Sequence, residues 1–209
     1  MTIVRVAVLS ATLLLVGGAA SAGPITSNTA LPVHAGELIV REQIIWMRAT
    51  RDPSPLNREL DVVMAPTVLV YGPTSRLMFM GVLPWLYKGI EVTTPDGREK
   101  RHTSGFGDLM TVARVTALAV DRPHETIRLA PFAGLKLPTG AQNEADDLGR
   151  FPQPFQLGTG SWDPFAGAVF TWQTLRWELD ADAAYRRNTE MNDFEAGDEV
   201  RSNVSFQYR

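Results

Sequence analysis

Near the C-terminus the chain alternates apolar and charged positions. Leu175, Trp177, Leu179, Ala181, Ala183 and Tyr185 interleave with Arg176, Glu178, Asp180, Asp182, Ala184 and Arg186. Successive side chains of a strand point to opposite faces, so this period of two predicts a strand with one apolar and one charged face. Helical spacing would scatter the same charges around the whole circumference. The last stretch repeats the device: Val200, Val204, Phe206 and Tyr208 alternate with Arg201, Asn203, Ser205, Gln207 and Arg209. So does an earlier one, where Ile127, Leu129, Pro131, Ala133, Leu135 and Leu137 face away from Thr126, Arg128, Phe132 and Lys136. Weaker strand patterns cover 37–49, 59–71, 76–89, 108–120 and 163–173, several weakened by Pro or Gly. The prediction is an all-β chain of about eight strands with no convincing helix.

The connections alternate in length. Residues 50–58, 90–107, 138–162 and 187–199 make long links, whereas 72–75, 121–124 and 173–176 make short ones. An antiparallel up-and-down transmembrane β-barrel has this order, with short turns at the periplasmic end and longer loops outside. A soluble sandwich has no reason to collect its long loops at one end. The aromatic residues agree: Trp177 and Tyr185 bracket one apolar face. At roughly 3.3 Å per residue and a tilt of about 40°, they stand about 20 Å apart along the membrane normal.

That architecture sorts side chains into two sets. Arg114, Arg128, Lys136, Arg176, Glu178, Asp180, Asp182, Arg186, Arg201, Asn203 and Gln207 are expected to face the lumen. Trp177, Leu179, Tyr185, Phe206 and Tyr208 are expected to face lipid or the interfacial girdle. The lumen set holds both signs of charge with cations in the majority, so pairing or water must compensate.

The other end of the chain reads as an export signal. Arg5 precedes an apolar run, Val6–Val16, and small residues follow, ending Ala20-Ser21-Ala22 before Gly23. That is the charge, apolar stretch and small-x-small site of a cleaved leader. The run is too short for a membrane-spanning helix, which needs roughly 20 apolar residues. The expected organisation is a leader at 1–22, a periplasmic segment at 23–36 and a barrel at 37–209. Removing the leader takes Arg5 with it and moves the net charge from −3 to −4. No basic stretch tracks one face, so nucleic acid is not an expected partner. Outer-membrane lipid and a small solute are; oligomeric state is left open. With no cysteine in the chain, disulfides and thiolate chemistry are excluded.

Candidate chemistry is sparse. Glu178, Asp180 and Asp182 share a strand face, and paired carboxylates bind metals or share protons. A charge network with Arg176, Arg186 and facing strands is the simpler account, since interior charge ladders are expected in this architecture. Asn143, Glu144, Asp146 and Asp147 lack calcium-loop spacing and read as a solvated loop. His34, His102 and His124 stand apart from other ligand residues, and Gly160-Ser161-Trp162 is not a nucleophile elbow. No catalytic residue, metal or cofactor is expected, and the chain is not expected to be an enzyme.

Three motifs remain: Gly105-Phe106-Gly107-Asp108-Leu109, Phe132-Ala133-Gly134-Leu135-Lys136-Leu137-Pro138-Thr139-Gly140, and Leu157-Gly158-Thr159-Gly160-Ser161-Trp162-Asp163-Pro164. With Tyr185-Arg186 and the closing Asn203-Val204-Ser205-Phe206, they resemble the MetA-pathway phenol-degradation family. The resemblance covers roughly 105–209 and implies a bacterial outer-membrane barrel of transporter type. It also implies strands beyond those present, so a complete eight-stranded barrel and an incomplete one both stand as expectations. Passage of small hydrophobic or aromatic molecules is the leading function. The alternatives are a non-conducting structural or surface-interaction barrel and a soluble periplasmic barrel that binds a ligand.

Overall fold

The computed structural model describes residues 3–11, 29–50, 58–94, 97–190 and 197–208, and among them the sole helical turn is the 3-10 turn Gln153–Phe155. The strands are β1 (Ile3–Ala11), β2 (Leu38–Thr50), β3 (Glu59–Tyr71), β4 (Leu77–Thr94), β5 (Gly97–Phe106), β6 (Leu109–Val115) and β7 (Leu118–Arg122). They continue as β8 (Glu125–Leu137), β9 (Ala145–Asp146), β10 (Gly149–Arg150), β11 (Asp163–Thr174), β12 (Trp177–Arg186) and β13 (Glu199–Tyr208). All but the β9–β10 hairpin join one antiparallel sheet in the order β1-β2-β3-β4-β6-β8-β11-β12-β13, with β5 on β4 and β7 on β8. Consecutive strands pair, as in an up-and-down barrel, and the sheet curls without closing, since β1 and β13 do not pair.

The eight strands read from the sequence are β2, β3, β4, β6 with β7, β8, β11, β12 and β13. One expected loop is a strand. Residues 90–107 continue β4 upward to Thr94 and return as β5, paired from Thr94↔Gly97 to Trp85↔Phe106. The charged run that reads as loop is held by cross-strand ion pairs: Arg98 lies 2.6 Å from Glu59 and 2.8 Å from Glu91, and Lys100 lies 3.4 Å from Glu91. Below it, β5, β6 and β7 are one long descending strand interrupted by two bulges. Between Trp85↔Phe106 and Val82↔Met110, two residues of β4 face three of its partner. Between Arg114↔Phe132 and Leu118↔Leu129, two residues of β8 face three.

The long connections after β2, β8 and β12 leave one end of the sheet, the loop end, where β4 also turns into β5, and the tight β3–β4, β7–β8 and β11–β12 turns lie at the other. Among the described residues, the single non-glycine residue with positive φ is His124 (φ 70°), at the β7–β8 turn. Arg176 also belongs to the turn end. The Thr174 hydroxyl accepts the N–H groups of Arg176 (3.3 Å) and Trp177 (3.1 Å), which makes Leu175 and Arg176 turn residues. Arg176 is exposed there and does not join the charged face of β12.

The two faces of the curl invert the usual soluble distribution. On the inner face Asp180 is fully buried, and Glu178, Asp182 and Lys136 are nearly so. On the outer face large apolar side chains stand free, among them Phe79, Trp85, Tyr185 and Phe206; Phe106 is 61% exposed. Charged residues are ordinarily the exposed ones, and an apolar outer band is what lipid contact requires. The strand Ile3–Ala11, inside the stretch read as a leader, lies along β2 from Ile3↔Thr50 to Ala11↔Glu42. Residues 12–28 fall outside the described residues.

Candidate functional site

The inner face has two contrasting walls. On β3, β4 and β6 the inward positions include Met64, Val68, Met78, Met80, Leu86 and Val112, an apolar wall in which Val68, Met78, Leu86 and Val112 are buried. Alternation does not reveal it, because β3 and β4 are apolar on both faces. On β11, β12 and β13 the inward positions are polar. Thr171 donates its hydroxyl to Asp180 Oδ1 at 2.6 Å, Asn203 Nδ2 donates to Asp182 Oδ2 at 2.9 Å, and Gln173 Nε2 donates to Glu178 Oε2 at 3.2 Å. Asp180 Oδ2 and Asp182 Oδ1 have no protein partner and remain acceptors. Between the walls, Phe132 and Phe165 pack edge to face at 6.5 Å. The glycines opposite them make the room: a Cβ on Gly134 would run into the Phe165 ring, and one on Gly167 would meet the Phe132 ring at 2.6 Å.

The other inward candidates sit as follows. Arg114 reaches across the interior to the carbonyls of Thr29 (2.7 Å) and Leu31 (2.9 Å). Arg128, near the turn end, donates to both carboxylate oxygens of Asp121 at 2.7 and 2.9 Å. Arg186 pairs with Glu199 at 3.2 Å and lies 5.9 Å over the Phe165 ring. Arg201 is exposed, and Gln207 is half-buried opposite Glu178. On the outer face, Trp177 packs against Trp172 at 4.6 Å and Phe206 at 6.4 Å, with Leu179 beside it. Tyr185 is exposed and donates to Asp198; Phe206 and Tyr208 are also exposed.

Lys136 leads to the feature that unites the three sequence motifs. Its ammonium contacts Asp163 and the Thr159 hydroxyl, lies 3.6 Å from Asp108 and 3.4 Å from Ser161 Oγ, and is nearly buried. Asp108 accepts from the N–H of Gly140 (3.0 Å), the N–H of Thr159 (2.9 Å) and the Thr159 hydroxyl (3.0 Å). Asp163 accepts from Ser161 Oγ at 3.2 Å and from the Thr189 N–H at 3.0 Å. Thr139 bridges the β5–β6 bulge, accepting from Leu109 N–H at 2.8 Å and donating to the Gly107 carbonyl at 3.2 Å. The glycines let two backbones cross: a Cβ on Gly140 would lie 2.8 Å from Gly158 Cα, and one on Gly158 only 2.6 Å from Asp108 Oδ1. One lysine thus sits between two carboxylates and offsets one of their two charges, and hydrogen bonds from backbone N–H and hydroxyl groups hold the remaining charge, as a buried ionic cluster requires.

This clasp pins both ends of the 138–162 connection. Between them, Gln156 is buried and binds Glu144 and Phe151 through its side chain, and Lys88 donates to the carbonyls of Pro154 and Gln156. Arg101 holds Asp146 through two hydrogen bonds at 2.7 and 2.8 Å and lies 4.3 Å over the Phe151 ring. The acidic loop expected to be merely solvated is therefore docked on the inner face of β5. The Arg101 guanidinium holds the Asp146 carboxyl below the usual carboxylate range.

A curled antiparallel sheet with consecutive pairing, buried inner charges and an exposed apolar outer face defines an up-and-down barrel-type protein. A family model described as "Putative MetA-pathway of phenol degradation" matches residues 58–209, and the chain belongs to that family. The match includes all of the clasp and both walls of the inner face. No curated protein and no solved structure matches the chain.

Proposed function

We propose that the protein is an outer-membrane β-barrel through which small, hydrophobic or aromatic molecules pass, exported with its leader Met1–Ala22 removed. The observation that carries this reading is the amphipathic interior. Apolar side chains of β3, β4 and β6, among them Met64, Val68 and Met78, and the carboxylates of β12 belong to the same inner face, and Asp180 Oδ2 and Asp182 Oδ1 have no partner. A phenol-like solute, with a ring and a hydroxyl, would find apolar contacts and an acceptor on that one face. The exposed outer belt supports a membrane setting, since apolar surface of that extent is not left to water.

The test has two stages. Fractionated cells should yield the protein in detergent extracts of the outer membrane, migrating differently before and after boiling. Purified protein in liposomes should then admit a small phenolic probe faster than a similarly sized sugar. Recovery in the soluble periplasmic fraction would sink the membrane assignment, and equal rates for the two probes would sink the solute class.

A second reading, a non-conducting structural barrel, draws support from one feature. Residues Thr29–Leu31 occupy interior space, with Ala30 fully buried. Negligible uptake of both probes by folded protein would favour it.

A further inference from the structure

The stretch before β2 does not stay outside the curl. It passes the β3–β4 turn, where Gly36 N–H donates to the Gly72 carbonyl at 2.6 Å and Gly72 N–H to the Glu37 carbonyl at 3.1 Å. Gly72 must be bare there, since a Cβ would meet the His34 carbonyl at 2.9 Å. The chain then enters the interior. Arg114 donates to the carbonyls of Thr29 and Leu31, and the Ala30 N–H donates to Thr171 Oγ1 at 2.7 Å. Thr171 passes its own proton toward Asp180, so the strap is connected through one hydroxyl to the most deeply buried carboxylate of the polar wall. Ala30 itself packs against Ala130 and Val169, with Phe132 beside them.

The balance of these contacts matters. The apolar contact is one alanine against small neighbours. The seating is polar, made mainly to backbone groups, with the Thr29 hydroxyl also 3.3 Å from Thr171 Oγ1, and two of its bonds come from a single arginine. Loss of those two leaves Thr171 as the remaining hydrogen-bond partner of the strap among the described residues. The donors and acceptors it uses are also ones a polar solute would use: a guanidinium for a carbonyl or carboxylate, and a hydroxyl backed by a carboxylate for an N–H or O–H.

We propose that Thr29–Leu31 is a strap that sets the narrowest point of the passage, held by Arg114, and that its release widens the passage. This rests on the conduit reading above. The chain has no cysteine, so Ala30→Cys gives a single labelling site. In the purified full chain, the introduced thiol should react slowly with a membrane-impermeant maleimide, and adding Arg114→Ala should speed the reaction many-fold. Conductance in planar bilayers should rise several-fold in Arg114→Ala and when residues 24–31 are deleted. In the Arg114→Ala background, a disulfide in the Ala30→Cys/Ala130→Cys double variant should hold conductance low until it is reduced. Boiled and unboiled migration certifies that each variant is folded; if Arg114→Ala does not fold, the deletion decides, and wild-type conductance in it overturns the proposal. Equal labelling of the Ala30→Cys thiol with and without Arg114 overturns the proposal whatever the conductance. Released labelling with wild-type conductance also overturns it and leaves the conduit standing. Released labelling with no conductance in any form removes the conduit reading, and the proposal with it.

Discussion

Asp108 and Gly158 show how much of the loop end depends on single positions. Asp108 accepts three hydrogen bonds and shares Lys136 with Asp163. Asp108→Ala would leave two backbone N–H groups and a hydroxyl without that acceptor, at about 1–3 kcal/mol for each group left buried and unpaired. Gly158→Ala forces a Cβ into Asp108 and the Gly140 backbone, and neither neighbour is the free end of a flexible chain. Both variants are expected to speed limited proteolysis within residues 141–156, with Gly158→Ala at least as severe; unchanged cleavage in both would remove the clasp role. The motif residues were all visible in the sequence, but only as turn and loop signals. What was not legible was their convergence, because Asp108, Lys136 and Thr159 meet through strand pairing and no local pattern encodes that. The pH dependence also belongs to this scale. Arg101 depresses the folded-state pKa of Asp146, so the docking it provides is fully present above the unfolded carboxylate value of about 3.9 and is lost as pH falls through the lower folded value. The loop should stay protease-resistant at pH 5 and loosen only in stronger acid. Loosening between pH 5 and 7 would mean that another group controls it.

At the scale of elements, alternation marks strands wherever the two faces differ in chemistry. Strand β12 is the clearest case, with Glu178, Asp180 and Asp182 buried and Trp177, Leu179 and Ala181 alternating with them. It failed in two places for two reasons. The β4–β5 extension carries charge on both faces, and the partners that make it a stable ladder lie far away in sequence, as Glu59 does from Arg98. The strands β3 and β4 carry apolar residues on both faces, so the period of two is flattened and the inner wall is hidden. The strap, too short for any periodicity, gave no signal at all. The outward face of β12 yields a direct test. Ala181 sits opposite Phe170 and Val204, midway between Trp177 and Tyr185. If lipid covers that face, Ala181→Arg should cost roughly 2–4 kcal/mol in a lipid-folding titration, the range for a cation near the bilayer midplane. A neutral result would place that face in water.

At the scale of the molecule, the question is what pairs with the edges. β13 presents a free row of backbone groups, and loss of the leader would free the edge of β2 now covered by β1. Unpaired edges are not tolerated in hydrocarbon, so a membrane setting demands closure. Direct pairing of β2 with β13 would be antiparallel and would make an eight-stranded barrel. Such a barrel has an interior just wide enough for its own side chains. Here the interior already holds Phe132, Phe165 and the Arg114 side chain, and also the backbone of Thr29–Leu31. A backbone segment threaded among inward aromatic rings competes with them for that space, since an eight-stranded interior holds its side chains and at most one small ligand. Additional strands between the two edges, from a longer polypeptide or from a second copy, would relieve that crowding. Single cysteines introduced along β2, at Arg41, Gln43 or Ile45, and along β13, at Arg201, Asn203 or Ser205, should not form intramolecular disulfides in the folded, membrane-inserted protein. Covalent dimers through β13 alone would identify a second copy as the source of the missing strands. Efficient β2–β13 cross-linking within one chain would establish the eight-stranded closure and would require the strap to leave the interior when the barrel shuts.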